Sequence, residues 1–352
     1  MSLKSFWQKN ASLFWPFGLA MEKTTKLRAT LYARGILPSY QASSPVISVG
    51  NITLGGEGKT PLVIWLTNFL QEKGFAPAVI TRGYGGKEKG PVLGARDGIP
   101  LRTPYEIGDE AYLLGIKTKA PIIIARDRAK GAAFATEKLK ANVLVLDDGF
   151  QHLKLKRDLD IVLFSAGKDP FCEKVFPAGY LREPLAALCR AHVFLITKAD
   201  RNAPEALYLS ERLASYQKPV FFAPFVTESP YPLENLWQEK NEESFPAREK
   251  FVAFCGLANP EPFFQEAQRR AKIVATLSFE DHASYGPKEI KKLLLLREKK
   301  EAFGFLTTEK DAVKLKDFVK SLSPCYVLPV KAAPEENFEA FILKYLRNAA
   351  NL

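Results

Sequence analysis

Histidine, cysteine and methionine are scarce in this chain, and no apolar run is long enough to cross a bilayer. Among 352 residues there are three histidines, four cysteines and two methionines. The cysteines (Cys172, Cys189, Cys255 and Cys325) are far apart and form no C-x-x-C pair. That spacing argues against a zinc site and fits free thiols in a reducing compartment. A membrane span needs about 20 successive apolar residues, and none is present. The apolar run at 13–21 is broken by Pro16 and Gly18, and no small-residue cleavage site follows it, so no signal peptide is expected. Acidic residues are in deficit, 39 against 50 Lys and Arg, for a net charge of +11. The excess suits an anionic partner: nucleic acid, an anionic membrane or a phosphorylated substrate. No nucleic-acid-binding module is recognisable, so nucleic acid is not an expected partner.

What the chain has in quantity is core-forming material. Apolar residues make up 47% and charged residues 25%, as in a globular protein with a real core. Continuous apolar runs such as "PVISVGN", "APAVITRGY", "APIIIA", "NVLVLDDG" and "LDIVLF" alternate with helical patterns such as "KTPLVIWLTNFLQEKG" and "DRAKGAAFATEKLKA". This alternation predicts an α/β fold, a mostly parallel sheet covered by helices on both faces. After a loop-rich stretch at 165–190 the alternation resumes, which predicts a second α/β domain. The expected division is an N-terminal helical region at 1–40, a nucleotide-binding domain at 41–160, a second domain at 161–334 and a C-terminal helix at 335–352, able to pack back on the first domain. The N-terminal region sets Phe6, Trp7, Phe14, Trp15 and Phe17 beside Lys4, Lys9, Lys23, Lys26, Arg28 and Arg34. Aromatic and basic residues together are the composition of an amphipathic, interfacial membrane anchor, or of a helix packed on the domain.

The segment "SVGNITLGGEGKTPLV" at 48–63 carries the chemistry. The common phosphate-loop pattern is G-x-x-x-x-G-K-[ST]. Gly58, Lys59 and Thr60 supply its end, but Thr53 stands where the first glycine belongs. A strand precedes, a helix follows, and Gly55, Gly56 and Gly58 permit tight turns, so converging N–H groups can still cradle phosphates. Lys59 would reach the phosphate oxygens and Thr60 the Mg²⁺. A metal-orienting acid should end a neighbouring parallel strand. Asp147 and Asp148 do so, and adjacent strand residues point to opposite sides, so the two should differ in role. Asp109 opens a short helix, a position that first-turn acids often take. "ITKAD" at 196–200 is similar to the T/N-K-x-D element that reads guanine in GTPases, on four residues only. His152 and His282 lie beyond strand ends, where α/β sites form.

Taken in order, "GNITLGGEGKTP", "TRGYGG", "GDEA", "LDDGFQH", "PAGYLREP", "FEDHASYG" and "TTEKDAVKL" resemble the tetraacyldisaccharide 4′-kinase family of lipid A biosynthesis, from the N-terminal helix to about residue 315. The resemblance implies a P-loop kinase that uses ATP and Mg²⁺ to phosphorylate the 4′-hydroxyl of a lipid A disaccharide 1-phosphate at the cytoplasmic face of the bacterial inner membrane. It implies a peripheral attachment through the N-terminal region, and no protein partner. That family also lacks the first loop glycine. By resemblance Asp109 is the catalytic acid that takes the hydroxyl proton, His282 pairs with it, and Lys59 acts on the phosphates. Gly55, Gly56, Gly58, Thr60 and Arg128 are expected to bind the nucleotide, Tyr84 and Asn51 to face the substrate, and Thr60, Asp147, Asp148 and Glu183 to form the metal set. Many relatives read Asp-His-His where this chain has Ala283, and Tyr180 departs from a common proline. The alternative is a membrane-associated P-loop ATPase or GTPase switch, against which stands Leu54, where such regulators carry a signature lysine.

Overall fold

The computed structural model describes residues 11–238 and 244–350; Phe6, Trp7, Lys4 and Lys9 lie outside them. Nine strands form the larger sheet: β1 Val46–Gly50, β2 Pro77–Thr81, β3 Val92–Arg96, β4 Ile99–Pro100, β5 Ile122–Ile124, β6 Val143–Asp147, β7 Leu159–Ser165, β8 Val193–Thr197 and β9 Val220–Ala223. Their order is β4-β3-β5-β2-β6-β1-β7-β8-β9. All pairings are parallel except those of β3 with β4 and with β5. Strands β1, β2, β5, β6, β7 and β8 are buried at every residue, as expected of strands covered on both faces. The covering helices include α2 Lys59–Glu72, α3 Asp109–Lys117, α4 Arg128–Leu139 and α5 Pro204–Ala214, and α1 Ala11–Ala33 precedes the sheet.

A two-stranded antiparallel ribbon, β10 Phe225–Thr227 with β16 Val330–Ala332, leads to and from the second sheet. That sheet holds β11 Tyr231–Pro232, β12 Lys250–Cys255, β13 Lys272–Ser278, β14 Gly304–Thr308 and β15 Cys325–Leu328, ordered β11-β15-β14-β12-β13. Helices α6 Glu261–Arg270, α7 Pro287–Lys299 and the single turn α8 Glu309–Ala312 accompany it. The last helix, α9 Glu336–Ala350, returns to the first unit, where Phe338 stacks on Trp65 of α2 and meets Phe221 of β9.

Two features depart from the sequence reading. The larger sheet continues to Ala223 instead of ending near 160, because β7, β8 and β9 extend it on the far side of β1. Apolar runs of this kind do not say which sheet they join. The short hairpin β3–β4 was not predicted; its strands are only half buried and carry little apolar pattern.

The topology brings the working loops to one edge. The turns after β1, β2, β6, β7 and β8 all leave the carboxyl ends of parallel strands, as do those after β12, β13 and β14 in the second sheet. Strand β1 is central, and its last residue is pressed against the turn that follows β6. A Cβ added at Gly50 would lie 2.6 Å from the Phe150 Cβ and 2.9 Å from its backbone nitrogen. Gly50→Ala should therefore push these two loops apart, at a cost of about 1–3 kcal/mol, read as a lower denaturant midpoint. An unchanged midpoint would show that the two turns separate freely.

Candidate active site

The phosphate loop is held from beneath. Glu57, 1% exposed, accepts from the Thr53 hydroxyl at 2.7 Å, the Ser165 N–H at 2.7 Å and Lys168 Nζ at 2.8 Å. Thr53, where the common pattern has glycine, is thus a brace for the loop. Lys198, after β8, donates to the Gly56 carbonyl at 2.6 Å. "ITKAD" here ties a neighbouring strand to the loop. Gly58 caps α2 with φ 87°, a backbone that glycine adopts without strain, and the Phe225 ring leans on it. Above Gly55 and Gly56 there is room: an added Cβ meets only Lys168 Nζ, 3.6 Å away at Gly55, and nothing within 4 Å at Gly56. An open glycine cradle at the start of a helix, with a lysine beside it, fits a nucleotide's phosphate chain.

Lys59 is the best-held cation of the loop. Its ammonium donates to Asn51 Oδ1 at 2.9 Å and lies 3.3 Å from Asp148. Asn51 was expected to face substrate. Instead it is fully buried, donates to the Thr53 carbonyl and hydroxyl, and accepts from Lys59. Burial makes it an orienter of the lysine. Thr60 follows in the first turn of α2, half buried.

Asp147 and Asp148 do differ. Asp147 is buried at the end of β6 and accepts from Thr81 at 2.8 Å. Burial, with the like charges of Glu110 and Asp148, pushes its pKa up to about 6. Asp148 sits in left-handed backbone, φ 54°, and turns to Lys59 and Arg182. Burial alone would raise its pKa, but those two cations hold it below the usual carboxylate range. Arg128, in α4, is buried and donates to the carbonyls of Ala125 and, at 3.4 Å, Asp147, so it supports the end of β6. Its Nε has no partner. Glu183 is buried and paired with Arg190. Among the described residues no three acidic, histidine or cysteine side chains converge on one point. Mg²⁺ commonly takes one or two carboxylates beside water and phosphate oxygens, a demand that Asp147 and Thr60 suit.

The second sheet brings in His282. It lies beyond β13 in left-handed backbone, φ 58°, a strained conformation for this residue type that surrounding contacts must hold. Its Nδ1 is 3.0 and 3.2 Å from the two oxygens of Asp109. Asp109, 6% exposed, opens α3 and also accepts from the Glu110 N–H. Burial pushes its pKa up, yet the His282 hydrogen bond and the charges of Lys310 and Lys314 outweigh this and leave it below its ordinary value. A buried carboxylate kept ionised suits a proton acceptor. The Tyr84 ring lies 5.2 Å from the His282 ring and is 64% exposed, free to meet a substrate.

The other histidines have structural settings. His192 Nδ1 accepts from the Asp160 N–H. Burial, aided by Arg128, takes the His152 pKa down to about 4. Sequence reasoning passed over Lys310, Lys314 and Glu110, which crowd the Asp109–His282 pair. "TTEKDAVKL" held the signal, but a lysine in a charged run is usually solvated.

The geometry can now be set beside known proteins. A family described as tetraacyldisaccharide-1-P 4′-kinase matches residues 10–347. This chain belongs to the tetraacyldisaccharide 4′-kinase family. Relatives of that name include one from Desulfotalea psychrophila, 37% identical over 95% of this chain and 96% of that protein. Another, from Geobacter metallireducens, is 36% identical over 94% and 96%. The crystal structure of LpxK from Aquifex aeolicus in complex with ATP superposes with a TM-score of 0.78 at 30% identity, covering 96% of this chain and 99% of that one. The family is one of kinases, so the switch alternative is not favoured.

The raised pKa of Asp147 has a stability consequence. Its folded value lies above its unfolded one, so between about 4 and 6 stability falls as pH rises. Above that window the full penalty is present. Asp147→Asn should therefore stabilise the nucleotide-free kinase near neutral pH by on the order of 1 kcal/mol and bring no gain below about pH 4. Thermal melts across that range check both halves.

Proposed function

We propose that this kinase transfers the γ-phosphoryl group of ATP, with Mg²⁺, to the 4′-hydroxyl of a tetraacyldisaccharide 1-phosphate, a lipid A precursor. The observation that carries the reading is a phosphate-loop lysine and a buried, ionised Asp109 hydrogen-bonded to His282, set beyond the carboxyl ends of strands from two mostly parallel sheets.

Phosphoryl transfer asks the protein for positioning and charge stabilisation. Mg²⁺, when bound, supplies positive charge to the phosphate oxygens. Gly55, Gly56 and Gly58 receive the phosphate chain, and Lys59, oriented by Asn51, stabilises the charge on it. Asp147 and Thr60 are the residues suited to the metal. The hydroxyl proton passes to the Asp109 carboxylate, the oxygen's electron pair forms a bond to the γ-phosphorus, and the bond from that phosphorus to the β–γ bridging oxygen breaks, its electron pair leaving with ADP. The His282 hydrogen bond orients the carboxylate for that transfer. Tyr84, exposed beside His282, would meet the sugar.

The acceptor is a lipid, so the enzyme must work at a membrane surface. No helix among the described residues is long and apolar enough to cross a membrane. Helix α1 instead leaves Leu13, Trp15, Phe17 and Leu27 exposed, at 51–69%, with Lys23, Lys26 and Arg28 on the same helix. It rests on the body through Gly18, where an added Cβ would come within 2.7 Å of the Ala178 Cβ. Exposed aromatic and aliphatic residues beside basic ones suit a peripheral anchor on anionic lipid, in this reading at the cytoplasmic face of the inner membrane.

The direct test is ATP- and Mg²⁺-dependent phosphate transfer to the disaccharide 1-phosphate in detergent; no product with active controls would refute the reading. Lys59→Ala and Asp109→Asn should each lower turnover by on the order of 100-fold or more, and near wild-type rates in either would remove that residue from the mechanism. Replacing Trp15 and Phe17 with serine should release the protein from anionic vesicles while turnover on detergent-dispersed substrate persists. Undiminished vesicle binding would place the anchor elsewhere.

A further inference from the structure

His282 has two ring nitrogens with very different neighbours. Nδ1 faces the Asp109 carboxylate at 3.0 Å, and Nε2 faces the Lys310 ammonium at 3.2 Å. An ammonium group has three donors and no acceptor. A nitrogen that meets it in a hydrogen bond must offer its lone pair, so the single proton of a neutral imidazole belongs on Nδ1. From there it donates to Asp109.

Lys310 is itself held for this task. It lies in α8, whose first turn is capped by the Thr308 hydroxyl accepting from the Asp311 N–H. Its ammonium reaches Glu110 at 3.2 Å, across in α3, and Asp281 at 3.8 Å. Burial works against its charge, but Glu110, Asp109 and Asp281 more than restore it, and its pKa stands above the ordinary lysine value. The remaining charged groups around the pair are Lys314, 3.9 Å from Asp109, and Asp311, which binds Lys314 at 3.2 Å. Tyr84 supplies a ring face. The hydrogen bond to Asp109, with the charges of Asp109 and Asp281, holds the His282 pKa above its ordinary value, although burial and the Lys310 charge oppose the rise.

We propose that Lys310 is a positioning residue that fixes the proton of His282 on Nδ1 and disfavours the imidazolium. The proposal rests on the reading of Asp109 as the proton acceptor. It assigns the two partners distinct duties. With Nε2 committed to Lys310, the imidazole has no free lone pair with which to take the hydroxyl proton, and Asp109 alone does so. An imidazolium would form a full ion pair with Asp109 and make the carboxylate a poorer base. Lys310 opposes that state through like charge. Because Lys310 also bridges Glu110 of the first unit and His282 of the second, the tautomer is set where the two sheets meet.

The test uses the full-length kinase labelled with ¹⁵N-histidine. Only three histidines are present, so the ring spectra hold three spin systems, and His282→Gln assigns the one of interest. In the native protein His282 should show a protonated Nδ1 and a bare Nε2. In Lys310→Met, Nδ1 should stay protonated against Asp109 while the freed Nε2 takes a proton more readily, so the ring pKa should rise by roughly one unit, and the acid limb of the kcat profile should move up with it. Lys310→Arg, which keeps a charged donor, should restore the native ring pKa. A protonated Nε2 in the native protein overturns the proposal whether or not the Met variant folds. So does a folded Met variant that loses turnover with its ring pKa and acid limb unchanged, since that marks a structural lysine only. Full turnover by Asp109→Asn would defeat the proton-acceptor reading instead, while the ring spectra still report what Lys310 does to His282.

Discussion

A carboxylate that is buried and yet charged is the constraint on which the site depends. Removing a charge from water costs several kcal/mol unless partners replace the lost hydration. Asp109 meets that demand with the Glu110 N–H from its own helix, and with His282, Lys310 and Lys314 from the second sheet. Most of the compensation therefore arrives from across the junction. The second unit does more than cover the first, because its docking is what keeps this buried carboxylate ionised. Other contacts support the same junction: Lys117 of α3 pairs with Glu309 of α8, and its ammonium lies 5.1 Å from the centre of the Tyr231 ring.

The phosphate loop follows the opposite logic. Its own acid, Glu57, is placed beneath the glycines and consumed by Thr53, Ser165 and Lys168. Lys198 fastens the Gly56 carbonyl from the next strand but one. The loop's shape is thus set before any ligand arrives, which reduces the ordering that binding would otherwise require. Three non-glycine residues at the strand ends, Asp148, Lys198 and His282, have positive φ, so some backbone strain is stored where the chemistry is placed.

Much of this was legible in the residues. The P-loop strand, its helix and the Asp-Asp-Gly turn follow from apolar runs, glycines and lysine placed in order, and they occur within a residue or two of where those patterns put them. The Asp109–His282 contact spans 173 positions; only the resemblance to a family, not periodicity, could pair them. Sheet membership of β7 to β9 was hidden because a buried strand carries the same apolar signature in either sheet. The settings of Asn51 and Glu183 were hidden for a related reason. Sequence shows that a polar residue lies near a motif, but not whether its side chain is already spoken for, by Lys59 in one case and Arg190 in the other. Lys310 was passed over because nothing in a run of charges distinguishes a buried lysine from a solvated one.

The ribbon of β10 and β16 makes the second unit a single excursion of the chain. Thr227 pairs with Val330, so the polypeptide leaves the larger unit and re-enters it at adjacent points. Everything between is topologically a single insert. Were it cut out and the gap closed with a tight turn, an ordinary β-hairpin would remain, and α9 would still reach its seat against Trp65 and Phe221. His282 and Lys310 thus reach the site on one continuous excursion of the chain that reroutes no strand of the larger sheet.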